Sequence, residues 1–167
     1  MDVADELRHF ELLYDRSFVP DHASQADVWE TQADKWDRKY RAAEEKELHE
    51  VRIRDTAAWL RQQGLLSPEQ DVIDVGCGPG RYVAEFAKTA RNVIGTDISP
   101  KMTEYGKTYC KEQGLHNVAF HAVDFQNADI KSLGWEGKFD LAYSSITPAI
   151  SGLKGLENFL CISRAWC

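Results

Sequence analysis

The segment Asp74-Val75-Gly76-Cys77-Gly78-Pro79-Gly80 constrains this chain more than any other. It follows Val72 to Val75, which reads as a buried strand. It precedes Arg81 to Ala90, which reads as a helix with Val83, Phe86, Ala87 and Ala90 on one side. Glycines at 76, 78 and 80 let the backbone turn tightly and approach a ligand with no Cβ in the way. The helix start beyond them presents free N–H groups, which favour an anionic group such as a carboxylate. The spacing is GxGxG. A dinucleotide fingerprint needs GxGxxG, and Arg81 stands three residues after Gly78; a Walker loop needs a following Gly-Lys-Ser/Thr, which is absent. A nicotinamide dinucleotide is therefore disfavoured, and a smaller anionic tail is expected.

The rest of the chain supplies the context. Asn92 to Thr96, Val118 to Val123 and Phe139 to Tyr143 read as three further strands. Ser99 is a good N-cap with Pro100 in the first turn of a helix that ends near Gly114. Ser151 to about Trp166 reads as a last helix with Leu153, Leu156, Phe159 and Leu160 as its apolar stripe. Strands alternating with helices predict a doubly wound, mostly parallel α/β sheet with helices on both faces. Residues 1–66 carry no strand signal and read as an N-terminal helical extension; residues 67–167 form the core. A loop is expected at Val19-Pro20-Asp21-His22, and Leu48, Val51, Ala57, Ala58 and Leu60 fit one face of a helix ending near Gly64.

Two acids gain meaning from this order. Asp97 ends the second strand about 20 residues after the glycine loop, where an acid accepts hydrogen bonds from ribose hydroxyls. Asp124 ends the third strand, so it opens on the same crevice. It can accept from a purine's exocyclic amine with Phe125 beside it; alone it is a commonplace loop acid.

The formal net charge is −7, and the basic residues Lys35, Arg38, Lys39 and Arg41 alternate with acids, which reads as a solvated helix face. Nucleic acid is disfavoured as a partner on that ground. No apolar run is long enough for a membrane span. The N-terminus, Met1-Asp2-Val3-Ala4-Asp5-Glu6, lacks a signal peptide's basic and apolar regions. Cys77, Cys110, Cys161 and Cys167 form no CxxC pair, so free thiols, a reducing cytoplasmic location and no metal site are expected.

Taken together, these segments resemble class I S-adenosylmethionine-dependent methyltransferases, which have a Rossmann-like fold. Val72 to Gly80 is similar to the family's first motif, Gly95-Thr96-Asp97-Ile98-Ser99-Pro100-Lys101-Met102 to its second, Ala122-Val123-Asp124-Phe125 to its third, and Phe139 to Ser145 to its fourth-strand segment. The resemblance implies S-adenosylmethionine as cofactor and S-adenosylhomocysteine as product. It implies that Asp74 holds the methionine amino group and that Gly76, Cys77, Gly78 and Gly80 line the methionine and ribose parts. Asp97 would then bind the ribose hydroxyls, with Ile98 and Met102 packing on adenine. Asp124 would meet the adenine amine beside Phe125, and Ser144 would face the transfer crevice. The segment with Trp29, Trp36 and Tyr40 is similar to the N-terminal lid of small-molecule members; the alternative is that these rings pack the extension onto the core.

The expected reaction is methyl transfer to a small-molecule acceptor, because Ser144-Ser145-Ile146-Thr147-Pro148 lacks the Asp/Asn-Pro-Pro-Tyr/Phe pattern of nucleic-acid amino methyltransferases. His22, His116, His121 and Tyr143 are the candidate bases or acceptor contacts, each more simply read as surface or core. The family's sheet has seven strands, and four are legible here before the chain stops. A C-terminally shortened core with an exposed edge follows, covered by a second copy or a partner if at all. A module that binds the cofactor or a partner without turnover is the alternative function.

Overall fold

The computed structural model describes residues 22–167, with backbone alone for 22–25 and 43–46. The expected loop at 19–22 therefore lies largely outside the described residues. Two long helices, α1 (His22–Arg41) and α2 (Ala43–Gln62), precede an α/β unit. That unit comprises β1 (Asp71–Val75), α3 (Arg81–Ala87), β2 (Asn92–Asp97), α4 (Pro100–Glu112), β3 (Val118–Ala122), β4 (Phe139–Tyr143), α5 (Gly152–Ile162) and β5 (Ser163–Trp166). The strands form one sheet in the order β3-β2-β1-β4-β5, every pair parallel. This is the Rossmann-like, doubly wound arrangement expected.

Strand alternation sorts β1 between two cores. Val72 joins Leu60, Val83, Phe86, Val93 and Phe120 on one face, which α2, α3 and α4 cover. Ile73 and Val75 join Phe125, Trp135, Phe139 and Ile162 on the other, beneath α5. Burying a side chain such as Phe86 or Ile73 contributes about 1.5–3 kcal/mol. At the lower end of the sheet, Asp140 accepts from the Asp71 N–H at 2.8 Å and takes a two-pronged contact from Arg164, at 2.7 and 2.8 Å. These bonds hold β1, β4 and β5 in register.

The C-terminal segment departs from expectation. The last helix ends at Ile162, and Ser163–Trp166 turns into a fifth strand beside β4. Gly155, Asn158 and Ile162 are the helix's buried positions, whereas Leu160 is 54% exposed. Asn158 explains the rotation: its buried amide donates to the carbonyls of Phe125 and Ala128, at 2.9 and 3.1 Å, and that polar anchor fixes which side of α5 faces inward. The outer edge of β5 has no neighbouring strand among the described residues, and Trp166 beside it is 55% exposed. No helix of the described residues is long and apolar enough to cross a membrane.

Candidate cofactor and acceptor site

The C-terminal ends of β1, β2 and β3 open on a cavity of about 300 Å³, roofed by α1 and α2. That volume lies at the small end of the range for ligand pockets. The glycine loop forms one wall. Gly76, Gly78 and Gly80 all have positive φ, at 74°, 51° and 72°. The Gly76 and Cys77 N–H groups both donate to the Thr96 carbonyl at 2.8 Å, tying the loop to β2. A Cβ on Gly76 would lie 2.2 Å from Thr147 Oγ1, while one on Gly78 would meet nothing within 4 Å. Gly78 thus leaves open space toward a ligand, and Gly76 lets the segment after β4 close over the loop. Gly80 serves packing instead: a Cβ there would meet Phe120 and the Gly106 backbone.

All three strand-end acids line the cavity. Asp74 is 2% exposed, and its Oδ2 has no hydrogen-bond partner. Burial, reinforced by the charge of Asp97, pushes its carboxyl up to about 8. Asp97 accepts the Gly78 N–H at Oδ2 (2.9 Å) and the Ser99 N–H at Oδ1 (3.0 Å). Burial raises its pKa and these backbone bonds oppose the rise. Each oxygen keeps a lone pair for a further donor. Asp124 accepts from Asn127 Nδ2 at 2.9 Å and caps the short turn after β3. Ile98 and Met102 line the wall beside Asp97, and Val123 and Phe125 the wall beside Asp124.

Several expectations need adjustment. Ser144 does not line the cavity; its hydroxyl donates to the Val75 carbonyl at 2.9 Å, and Ser145 faces the site instead. Tyr143 packs against Tyr82 and Phe86, at 4.9 and 5.0 Å between ring centroids, and burial raises its phenol well above the ordinary value. His121 packs edge-on against Trp135 on the far side of the sheet, and His116 is exposed. Neither histidine lines the cavity. The side chain of His22 lies outside the described residues. Cys77 is buried in the loop, and burial pushes its thiol up, away from nucleophilic reactivity.

Trp29, Trp36 and Tyr40 do line the cavity, joined by Lys39, His49 and Arg52, which the sequence reading missed. Positions 29, 36 and 40 share one face of α1 at helical spacing, but His49 and Arg52 reach the site only because α2 folds back on α1. The roof is fastened to α4. Glu30 accepts from the Ser99 hydroxyl and, at 3.1 Å, from the Lys101 N–H, while Asp34 accepts from Lys101 Nζ at 2.9 Å and from the Tyr105 hydroxyl. Asp37, 9% exposed, faces Arg81 Nη2 at 3.9 Å, and the Arg81 guanidinium stacks 3.6 Å over the Tyr109 ring. Next to Thr147, which abuts the glycine loop, Ile146 adopts a positive φ of 51° and is 84% exposed at the rim. No group of His, Cys, Asp or Glu among the described residues is arranged to hold a metal ion.

A sheet of this order with an acid-lined cavity above its strand ends defines a class, and sequence comparison agrees. Residues 72–159 match the family described as "Methyltransferase domain", and the chain belongs to that family. Among curated proteins it is 30% identical over 93 residues to a 23S rRNA (uracil(1939)-C(5))-methyltransferase RlmD of Shewanella sediminis, covering 56% of this chain and 20% of that protein. It is 33% identical over 69 residues to a 2-heptyl-1-hydroxyquinolin-4(1H)-one methyltransferase of Mycobacteroides abscessus, covering 41% and 29%. The matches thus span less than a third of these relatives' lengths. In fold the chain is similar to magnesium protoporphyrin IX methyltransferase ChlM of Synechocystis PCC 6803 with bound SAM, with TM-score 0.69, 21% identity, and 89% and 74% of the two chains covered.

Proposed function

We propose that this chain binds S-adenosylmethionine in the cavity above β1, β2 and β3 and transfers its methyl group to a small-molecule acceptor admitted beneath α1 and α2. The observation that carries the reading is the convergence of Asp74, Asp97 and Asp124 on one cavity beside a glycine loop. Two buried polar atoms on the cavity wall, Asp74 Oδ2 and Thr96 Oγ1, lack partners, and such atoms are costly unless a ligand satisfies them.

The residues fit the cofactor as follows. Asp74 faces the amino group and ionises on meeting that charge. The Gly76–Gly78 backbone approaches the methionine and ribose parts. Asp97 accepts from the ribose hydroxyls while still holding the Gly78 and Ser99 N–H groups. Ile98 and Met102 pack on adenine, and Asp124, beside Phe125, meets its amine. Held by these residues, the sulfonium would supply an electrophilic methyl carbon to an acceptor lone pair, with S-adenosylhomocysteine as the leaving product. The chain's own part is positioning: α1 and α2, as a lid, exclude water and align the acceptor. Such alignment is worth about 7–11 kcal/mol in favourable cases.

A small acceptor is favoured by the roof, where aromatic rings from α1 close the cavity from above. An RNA acceptor is the second reading, and the RlmD relatives are the observation that favours it. The overall charge of −7 argues the other way. Four free cysteines fit a reducing, cytoplasmic setting. Calorimetric titration with S-adenosylmethionine, S-adenosylhomocysteine and NAD tests the cofactor; we expect heat from the first two alone. No binding of either by a folded sample overturns the proposal. Transfer of labelled methyl to a panel of small acceptors and RNA then separates the two readings.

A further inference from the structure

We infer that the acceptor is a planar aromatic molecule bearing an anionic oxygen, gripped by Arg52 and Lys39 and stacked against the rings of α1. The inference rests on the methyl-transfer reading and names a substrate class for it.

Charge is partitioned across the cavity. The floor, at the strand ends, carries the acids Asp74, Asp97 and Asp124. The roof carries every basic residue among the described lining residues: Lys39 on α1, and His49 and Arg52 on α2. The acids of the floor suit ammonium, hydroxyl and amine donors. Among the described lining residues only the roof carries cationic side chains, so an anionic group on the acceptor is drawn toward it.

Hydrogen bonding sharpens the argument. Arg52 Nη2 lies 3.3 Å from His49 Nδ1. A guanidinium has no lone pair to offer, so in this contact Arg52 is the donor. Its cationic head matches an oxygen that is already ionised, and an acceptor in that form needs no base to remove a proton.

Ring geometry supplies the planar part. Trp29, Trp36 and Tyr40 follow one another along α1, with centroids 6.3 and 6.4 Å apart and tilts of 41° and 37°. Lys39 Nζ lies 5.2 Å from the Trp36 ring centroid, so its charge is carried along the aromatic surface. Aromatic rings pack flat guests, and the cations beside them meet a negative group at the guest's edge.

The test is calorimetry of the full chain with naphthoate, naphthalenemethanol and naphthylmethylammonium, three probes of one ring system and different charge, with and without saturating S-adenosylhomocysteine. We expect naphthoate to bind about tenfold more tightly than the alcohol, and the ammonium most weakly. Arg52→Gln, a substitution on an exposed helix position, should cost naphthoate about tenfold and leave the alcohol within about twofold. Equal affinities for the three probes overturn the inference. So does an Arg52→Gln variant that loses S-adenosylhomocysteine by the same factor as naphthoate, since the guanidinium then serves the cofactor's carboxylate. Tighter binding of a uridine oligonucleotide than of naphthoate overturns it in favour of RNA. If S-adenosylhomocysteine does not bind at all, the proposed function falls, while the order of the three probes in its absence still decides the charge preference.

Discussion

Asp74 is the residue on which pH acts most directly. Between about 4, the ordinary carboxyl value, and about 8, the folded chain keeps a proton that the unfolded chain has released. Folding then takes up a proton, and stability falls as pH rises through that window. Asp97 shifts in the same direction. The urea midpoint of the ligand-free chain should drop from pH 5 to pH 8, and Asp74→Asn should flatten the drop. The same linkage predicts that S-adenosylmethionine binding at pH 7 releases about one proton as Asp74 ionises, readable from calorimetry in buffers of different ionisation heat. Asp97→Ala should abolish measurable cofactor binding while the circular dichroism spectrum stays folded. Gly76→Ala forces a Cβ onto Thr147 at a backbone conformation that L-residues avoid. A loss of about 2–4 kcal/mol in a urea melt is expected. At this scale the glycine loop and the three acids were legible because strand ends and tight turns leave local marks. Ser144 was not. Adjacent residues beyond a strand point to opposite sides, so a one-residue error exchanges Ser144, bonded to Val75, for Ser145, which faces the cavity.

Among the elements, α1 is held to the core mainly by polar contacts. Glu30 and Asp34 bind the first turns of α4, and Asp37 faces Arg81 at the start of α3, so the roof is attached to the helices that follow β2 and the glycine loop. Removing one charged hydrogen-bonding group typically costs about 1.5–3 kcal/mol. Glu30→Ala should therefore speed cofactor release about tenfold in stopped-flow measurements and increase protease cutting near Ala42. The helices of the roof were legible as helices. The residues they present to the cavity were only half legible, since Trp29, Trp36 and Tyr40 follow one helical face whereas His49 and Arg52 depend on how α2 returns. β5 was missed for a related reason. Four residues without polar-apolar alternation carry no strand signal of their own, and only pairing with β4 and the Arg164–Asp140 contact give them strand form.

For the whole molecule, the sheet's two borders differ. Both end in a strand with one unpaired edge among the described residues, but α4 packs on one face of β3 whereas Trp166 on β5 is 55% exposed. Unpaired strand edges beside apolar side chains promote self-association. Sedimentation of the 167-residue chain should show concentration-dependent dimers, and Ala165→Lys should shift them toward monomer. The sequence places the sheet's outer strand at Phe139–Tyr143; among the described residues β5 lies one strand further out. A different freedom belongs to the rim beside the glycine loop. Ile146 occupies a conformation unfavourable for a branched side chain, yet that side chain supports almost nothing. Exchanging it for glycine should raise the melting temperature by a few degrees, because about 1 kcal/mol of torsional cost disappears. Laboratory evolution of new acceptor preferences has a natural starting codon here: variation at the doorway spends none of the stability that the interior needs.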